Sequence, residues 1–373
     1  MTSAQVIVLA MPVFLLAIGV EFAIGLRRQR NTYRLNDTLG SLGLGVMSQV
    51  ADAFGTLFKV AMYSWVFSRA ALFELSASSA WVWIGALLGY DFCYYWLHRA
   101  GHRAGVLWAA HVVHHQSEDY NLGTALRQTS SGFLLGWIFY LPLAVAGVPP
   151  LVFGTVALID LLYQFWVHTQ QVGKLGWFDR WFCSPSNHRA HHAVNDRYLD
   201  RNYGGMLIVW DRLFGTFAEE DERDPVVYGT RAPLRSFNPV WANLQVYREL
   251  WLDSWRTRSW ADKLRVWLKP PGWRPADVAA RWPKPAFDIA ALQRFDPPLP
   301  PRAAALAVAL FAAALAGLGL FLWHVHRLAL TEQLLGGAAI IAALWTIGAL
   351  TRPRRVSVDA GVEPERASKE LSL

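Results

Sequence analysis

The chain has 373 residues, of which 54% are hydrophobic and 17% charged, and it contains 19 tryptophans. This composition, with a mean hydropathy of +0.21, indicates an integral membrane protein, in which tryptophans commonly lie at the two membrane surfaces. Two cysteines exclude a disulfide framework, and the net charge of +7 is better explained by membrane topology and contact with anionic lipids than by nucleic-acid binding.

Apolar segments predict seven membrane-spanning helices along the chain. They cover residues 6–26, 39–67, 80–97, 133–148, 151–167, 303–323 and 334–350. Because no cleavage site follows the first segment, we expect an uncleaved span rather than a signal peptide. Arginines after the first and last segments predict that those ends face the cytoplasm, with the N-terminus on the outer side. Asp52 and Lys59, inside the second segment, are predicted to form structural pairs within the bundle.

The segments divide the chain into five predicted parts. Residues 1–79 hold the first spans, 80–275 hold further spans and a cytoplasmic cap, and 276–302 form a Pro-rich linker. Residues 303–351 hold the last spans, and 352–373 form a charged tail that is predicted to be disordered. The predicted fold class is therefore all-α: a polytopic bundle of about seven spans with a helical cap on the cytoplasmic side.

Nine of the eleven histidines lie between residues 98 and 192, in four clusters. These are His98 and His102; His111, His114 and His115; His168; and His188, His191 and His192. Spacings of three and four bring side chains to one face of a helix. Neutral imidazoles suit borderline metals such as iron or zinc, and nine exceed the needs of one tetrahedral ion. The pattern predicts a dinuclear, histidine-ligated metal site on the cytoplasmic side.

Two features of the histidine set leave alternatives open. His168 stands alone, so it is either a ninth ligand or a residue that orients a ligand. Buried histidines without a metal would each need polar partners, which makes a purely structural set of nine improbable. His324 and His326 end a distant apolar segment and are predicted to lie at the opposite membrane interface.

Several acids and amides are candidates for orienting the ligand histidines. Asp91 and Asp160 lie in apolar segments ahead of His98 and His168, with pairing inside the bundle as the alternative. The other candidates flank the last cluster and are Asn187, Asn195, Asp200 and Asn202, with turn formation as their alternative role.

The order of the clusters resembles the fatty acid hydroxylase / sterol desaturase superfamily of membrane di-iron enzymes. The similarity covers about residues 80–275. The stretches SEDYNL at residues 117–122 and LYQFW at 162–166 resemble the branch of the superfamily that cleaves ether lipids. The resemblance implies a monooxygenase whose nine histidines hold two iron ions. It would hydroxylate the carbon next to the ether oxygen of alkylglycerols, which releases fatty aldehyde and glycerol, with tetrahydrobiopterin as reductant.

One departure from that pattern bears on the reductant. Animal members of the branch carry a glutamate directly after the second histidine of the first cluster, where this chain has Arg103. The reversed charge leaves pterin use and the exact substrate open. The sequence shows no fused electron-transfer domain and no Gly-rich nucleotide loop, so we expect an external donor, either a pterin or a ferredoxin or cytochrome.

Two other functions are compatible with the sequence. The first is a hydroxylase or desaturase of a sterol, fatty acyl chain or carotenoid that uses a protein electron donor. The second is a non-catalytic membrane protein with a structural zinc pair, which nine ligands with open access to lipid disfavour. The expected partners are the membrane, a lipid substrate, O2 and the electron donor. The Ala and Arg usage favours a bacterial inner membrane.

Overall fold

The computed structural model describes residues 2–352, in which the regular secondary structure is helical and no β-strand occurs, only isolated bridges at Phe182–Leu207 and Ala193–Tyr228. The α-helices are α1 (Ser3–Arg27), α2 (Leu35–Ala70), α3 (Ala80–Arg103), α4 (Gly105–His115), α5 (Leu122–Ala125), α6 (Leu141–Val145), α7 (Pro150–Trp166), α8 (Phe178–Trp181), α9 (Pro185–His191), α10 (Val209–Leu213), α11 (Pro239–Arg256), α12 (Trp260–Leu268), α13 (Ala276–Arg281), α14 (Pro301–His324) and α15 (Leu330–Leu350). Three 3-10 helices are Gly132–Leu134, Gly136–Tyr140 and Val325–Arg327. The predicted charged tail lies outside the described residues from position 353 onward.

Three of the described helices are long and apolar enough to cross a membrane. They are α1, α14 with the 3-10 turn after it, and α15, with apolar stretches of 24, 27 and 21 residues. At 1.5 Å per residue, each exceeds the roughly 30 Å thickness of a hydrocarbon core. They match the predicted spans at 6–26, 303–323 and 334–350. α2 and α3 are long but more polar, and α7 is apolar but has only 17 residues.

The prediction of one spanning helix at residues 133–148 is wrong. The segment folds into two 3-10 helices followed by the five-residue α6. Gly136 and Pro142 are poor residues for a helix interior, which explains why the helix is broken. The segment nevertheless packs against the helix bundle. Its end is joined to the end of α2, where the N–H of Leu72 donates a hydrogen bond of 2.8 Å to the carbonyl of Val145. Irregular backbone is tolerated at membrane depth where protein surrounds it.

α2 joins two apolar cores. It packs against α14 and α15 around Val46, Phe311 and Leu344. Further along, it packs against α3, α6 and α7 around Tyr63, whose hydroxyl donates a hydrogen bond of 2.9 Å to the carbonyl of Val148. The histidine-bearing helices are therefore attached to the C-terminal membrane helices through α2.

Two minor expectations are confirmed. Lys59 and Asp52 form an ion pair of 2.8 Å along α2, so the two charges neutralise each other within one helix. Cys93 and Cys183 are both free and buried.

The predicted linker at 276–302 is attached to the rest of the protein by hydrogen bonds. The N–H of Phe295 donates to Oε2 of Glu118 at 2.6 Å, and the amide of Asn36 donates to Oδ1 of Asp296 at 3.0 Å. These contacts bind the segment to the SEDYNL stretch and to the start of α2. The division of the chain into five parts stays a prediction.

Candidate metal centre

The nine histidines lie on or next to four helices, which are α3, α4, α7 and α9. α3 carries His98 and His102 in its last turns, and one extended residue, Ala104, then turns the chain into α4 with the second cluster. His168 lies two residues past the end of α7. The last cluster sits on α9, whose first turn is capped by the hydroxyl of Ser184.

The structure gathers all nine histidines into two adjacent groups. Group one consists of His98, His102, His111, His115 and His191, and group two of His114, His168, His188 and His192. Within each group, one ring nitrogen of every member lies within 4.8 Å of all the others. The rings of His115 and His192 stack with centroids 4.3 Å apart and connect the groups. His324 and His326 are exposed at the end of α14 and belong to neither group.

The outward nitrogens of four rings are held by backbone carbonyls. The Nδ1 atoms lie 2.8 to 3.1 Å from carbonyl oxygens, in the pairs His98–Tyr203, His114–Arg127, His168–Gln164 and His191–Arg201. A carbonyl only accepts hydrogen bonds, so each of these Nδ1 atoms carries the proton. In a neutral ring the Nε2 atom is then a bare lone pair that can bind a metal.

Bare Nε2 atoms meet one another inside group two. The Nε2 atoms of His114 and His168 are 3.1 Å apart, although neither ring has a proton there in its neutral form. Burial lowers the pKa of His114 to about 4 and lowers the pKa of His168 well below its ordinary value, so both rings are neutral at pH 7. Two facing lone pairs at this distance repel unless a cation lies between the rings.

The spacing of the nitrogens fits metal ligation. Two nitrogens that each lie about 2.1 Å from one ion, at right angles, are about 3.0 Å apart. Neighbouring Nε2 atoms are 3.1 Å apart in the pairs His98–His111 and His111–His115, 3.0 Å in His168–His188 and 3.2 Å in His188–His192. Among the described residues, Nε2 of His102 and of His191 are buried without a hydrogen-bond partner. The donor set therefore fits a borderline transition metal such as iron.

Of the candidate orienting residues, Asp200 contacts a histidine ring directly. Its Oδ1 lies 3.6 Å from Nδ1 of His102, and its Oδ2 lies 3.2 Å from the guanidinium of Arg103. The residue after the first cluster, Arg103, is thus paired with an acid of the site. Asp200 and Asn202 both have a φ of 57°, so the turn-forming role that was their alternative is present as well.

Asp91 and Asp160 lie behind the histidines and bind other groups. Asp91 accepts hydrogen bonds from the N–H groups of Met206 and Leu207, at 2.6 and 3.1 Å, and from the indole of Trp210 at 2.8 Å. Asp91 therefore holds the segment from Met206 to Trp210 in place and does not orient a histidine ring.

Asp160 reaches His168 indirectly, through Gln164. It accepts a hydrogen bond of 2.6 Å from the side chain of Gln164, whose carbonyl oxygen holds Nδ1 of His168. A Cβ atom added at Gly205 would lie 3.0 Å from Oδ1 of both Asp160 and Asp91, so only glycine allows these two carboxylates to approach the loop.

The two asparagines serve as loop supports. The amide of Asn187 donates to the carbonyls of Asp179 and Phe182, and that of Asn195 donates to Asp224 at 2.6 Å. Within residues 2–352, no hydrogen bond of either amide goes to a histidine ring.

Asp211 is a site residue that sequence reasoning missed. Its buried carboxylate accepts from the N–H groups of Tyr203 and Gly204 at 2.8 and 2.7 Å and from the hydroxyl of Thr216 at 2.6 Å. It thereby fixes the loop whose carbonyl groups hold His98 and His191. Burial raises the pKa of Asp211 to about 6. The available signal was the acid of the Trp210-Asp211-Arg212 stretch, a few residues after the turn at Asp200 and Asn202.

An apolar cavity of about 610 Å³ lies beside both groups. Its wall includes histidines of group one, His98 and His111, and of group two, His114 and His168. Apolar side chains from four helices form much of the remainder, among them Met11, Phe14, Leu42, Leu97, Phe311 and Leu315. Polar groups of the wall include Gln49, Gln128 and Tyr247. A cavity of this size suits an elongated apolar ligand with a few polar atoms.

Comparison with known proteins agrees with the resemblance in the sequence. Residues 83–216, which contain all nine histidines, match the fatty acid hydroxylase family model. The chain is 39% identical to human alkylglycerol monooxygenase over 267 residues, which are 71% of this chain and 59% of the human protein. It is 41% identical to the alkylglycerol monooxygenase of Danio rerio over 268 residues, again 71% of this chain and 59% of that protein.

A bacterial relative is more distant. The chain is 27% identical to an ornithine lipid hydroxylase of Rhizobium tropici over 199 residues, which are 51% of this chain and 59% of that protein. The chain thus spans about 59% of the length of each of these relatives. No solved structure matches the chain.

Proposed function

We propose that this chain, which carries a fatty acid hydroxylase domain, is a membrane oxidoreductase that hydroxylates a lipid C–H bond with dioxygen. The observation that carries the proposal is the pair of buried histidine groups, with bare Nε2 atoms about 3 Å apart, beside an apolar cavity. The proposed ligands of two iron ions are His98, His102, His111, His114, His115, His168, His188, His191 and His192. Iron, when bound, supplies the reductive activation of dioxygen.

The residues of the chain hold and orient the substrate. The apolar wall accommodates a lipid chain and excludes water, while the histidines in the wall bring the reacting carbon next to both groups. Asp200 positions His102, and Asp160 positions His168 through Gln164.

We further propose an ether lipid as substrate, since the two alkylglycerol monooxygenases share about two-fifths of the aligned residues. Hydroxylation of the carbon next to the ether oxygen yields a hemiacetal, which breaks into fatty aldehyde and glycerol. The polar groups Gln49, Gln128 and Tyr247 are available for a glycerol head, with the alkyl chain along the apolar wall. Tetrahydrobiopterin is the proposed reductant.

A second candidate uses another lipid and a protein electron donor. The ion pair of Arg103 with Asp200, next to His102, favours this alternative, because it places a cation where the ether-lipid branch has an acid. In addition, one relative, the ornithine lipid hydroxylase of Rhizobium tropici, is named for a different lipid.

The proposed topology has seven crossings, with both histidine groups on the cytoplasmic side of a bacterial inner membrane. Three crossings are the apolar α1, α14 and α15. The others are α2, α3, α7 and the irregular segment at 133–148, which runs beside α2 and α3.

The test uses membranes that contain wild type, His114→Ala or His324→Ala, supplied with iron, O2 and a 1-O-alkylglycerol. Fatty aldehyde is trapped in three arms: with tetrahydrobiopterin, with a reduced ferredoxin or cytochrome, and with neither donor. We expect aldehyde from wild type and from His324→Ala, whose ring is exposed and outside both groups, and none from His114→Ala.

The donor arms separate the two proposed reductants, and aldehyde formation itself tests the ether-lipid substrate. Aldehyde that requires the pterin supports the first candidate, and aldehyde that forms only with a ferredoxin or cytochrome supports an ether-lipid enzyme with a protein donor. No aldehyde from iron-loaded wild type under either donor would refute the ether-lipid substrate.

A further inference from the structure

We propose that the outer faces of α11 and α12 form an anchor that lies in the surface of an anionic membrane. This α11–α12 surface consists of Leu244, Trp251, Trp255, Trp260, Leu264 and Leu268. The inference goes beyond the proposed chemistry, because it concerns how the protein meets the bilayer and does not depend on the reaction.

Both helices are amphipathic and present apolar side chains outward. On α12, Trp260, Leu264 and Leu268 are four residues apart, and they are 82%, 70% and 68% exposed. The opposite side of the same helix is buried at Val266. On α11, Trp255 is 73% exposed and lies on the same helix face as Trp251, four residues before it. Large exposed apolar side chains that share one helix face mark an interaction site, whereas such side chains standing singly do not.

The position of α11 places this surface near a membrane boundary. Asn238, the N-cap of α11, packs against Gly348 in the last turn of α15, where an added Cβ would lie 2.6 Å from Asn238. α15 is one of the three helices long and apolar enough to cross a membrane. Since α11 begins where α15 ends, the α11–α12 surface begins at the level where a span leaves the bilayer.

The charges around the α11–α12 surface indicate which kind of partner it binds. From Leu244 to Lys269, the range of this surface, the chain carries six cations against three acids: Arg248, Arg256, Arg258, Lys263, Arg265 and Lys269 against Glu249, Asp253 and Asp262. Cations beside exposed tryptophans suit the headgroup region of an anionic leaflet, where indole rings also settle. A second copy of this chain would present the same cations, so charge disfavours self-association through this surface.

The anchor is connected to the candidate metal centre. The N–H of Gly105, at the start of α4, donates to the carbonyl of Lys269 at 2.9 Å. An added Cβ at Gly105 would lie 2.8 Å from the carbonyl oxygen of Val266, so glycine is needed for this close contact. α4 carries three of the nine histidines. These contacts therefore fix the position of α12 relative to α4 and to the histidines that α4 carries.

The experiment measures membrane depth with a nitroxide label at Leu264→Cys, and at Arg265→Cys as a matched control one residue away on the polar side. Full-length protein is placed in nanodiscs of phosphatidylcholine with and without phosphatidylglycerol. Collision rates with apolar O2 and with a water-soluble nickel chelate are recorded by electron paramagnetic resonance. Wild type labelled in parallel gives the background, because its two cysteines are buried. Leu268→Cys repeats the measurement one turn further along.

We expect the ratio of O2 to nickel accessibility to be several-fold higher at Leu264 and Leu268 than at Arg265, and to rise when phosphatidylglycerol is added. Equal ratios at all three positions would overturn the proposal. Dipolar broadening at Leu264 between labelled copies would also overturn it, since a second copy would then cover the surface. A ratio that is indifferent to phosphatidylglycerol would refute the anionic lipid as the partner. None of these outcomes depends on aldehyde formation.

Discussion

Replacing Asp211 by asparagine should weaken metal binding by group one and leave group two intact. Asp211 touches no histidine, but its carboxylate fixes the loop whose Tyr203 carbonyl holds His98 and whose Arg201 carbonyl holds His191. Both of these histidines belong to group one. The perturbation therefore acts on one group through its outer hydrogen bonds.

The magnitude follows from the hydrogen bonds lost. The carboxylate accepts from two backbone N–H groups and one hydroxyl, whereas an asparagine side chain offers one acceptor oxygen and turns an NH2 group toward a donor. At least one buried N–H then loses its partner, at a cost of about 1–3 kcal/mol. Disturbing the outer contacts of a metal-bound histidine commonly lowers affinity about 10–100-fold.

The assay is anaerobic equilibrium dialysis against stepped free iron, with metal counted per chain. We expect Asp211→Asn to bind about one ion at free iron that gives wild type two, by analogy with outer-contact variants of other metal sites. Asp224→Asn is the control, because Asp224 supports Asn195 in a loop that carries no histidine. Loss of metal from both groups to the same extent, or an unchanged binding curve, would refute the reasoning.

Three further predictions concern pH, packing and metal. The folded pKa of Asp211 is about 6 against an ordinary value of 3.8, so its contribution to stability is full below about pH 4 and lost as the pH rises through about 6. Urea unfolding should show the wild type losing about 3 kcal/mol relative to Asp211→Asn over that interval, and parallel pH curves would contradict this. Gly205→Ala should destabilise the protein by about 1–3 kcal/mol, since its methyl would lie 3.0 Å from Oδ1 of Asp91 and 2.8 Å from the ring of Tyr94. Gly173→Ala, with open space around it, should leave the thermal midpoint in detergent unchanged, and an equal drop in both variants would count against the packing argument. Chelation of iron held at about 100 times Kd should remove about 2.7 kcal/mol of stability for each bound ion, and an unshifted midpoint would argue against metal binding to the folded state.

Much of the candidate site was predictable because helices repeat. In a helix of 3.6 residues per turn, a spacing of four residues advances about 40° past a full turn, whereas a spacing of three stops about 60° short of it, so the two neighbours lie toward opposite edges of one face. The structure follows this rule in all three clusters. The pairs His98–His102, His111–His115 and His188–His192 each stay within one group, and the neighbours three apart, His111–His114 and His188–His191, are separated.

Other features were not predictable from local pattern. The carbonyl groups that fix the ring protons belong to Tyr203, Arg127, Gln164 and Arg201, and every residue has a carbonyl. The broken segment at 133–148 was misjudged because average hydropathy does not register how a glycine and a proline interrupt a helix.

By itself, the sequence determined the histidine clusters, the three apolar spanning helices and the kinship with lipid hydroxylases. These properties depend on residue type and on spacing within single helices, which local chemistry specifies. Only the tertiary structure decided which clusters share a group, which acids reach a ring and which helix faces stay uncovered. Those properties depend on contacts between residues a hundred or more positions apart, such as Tyr203 with His98, and such contacts exist only once α2, α3, α4 and α9 have packed.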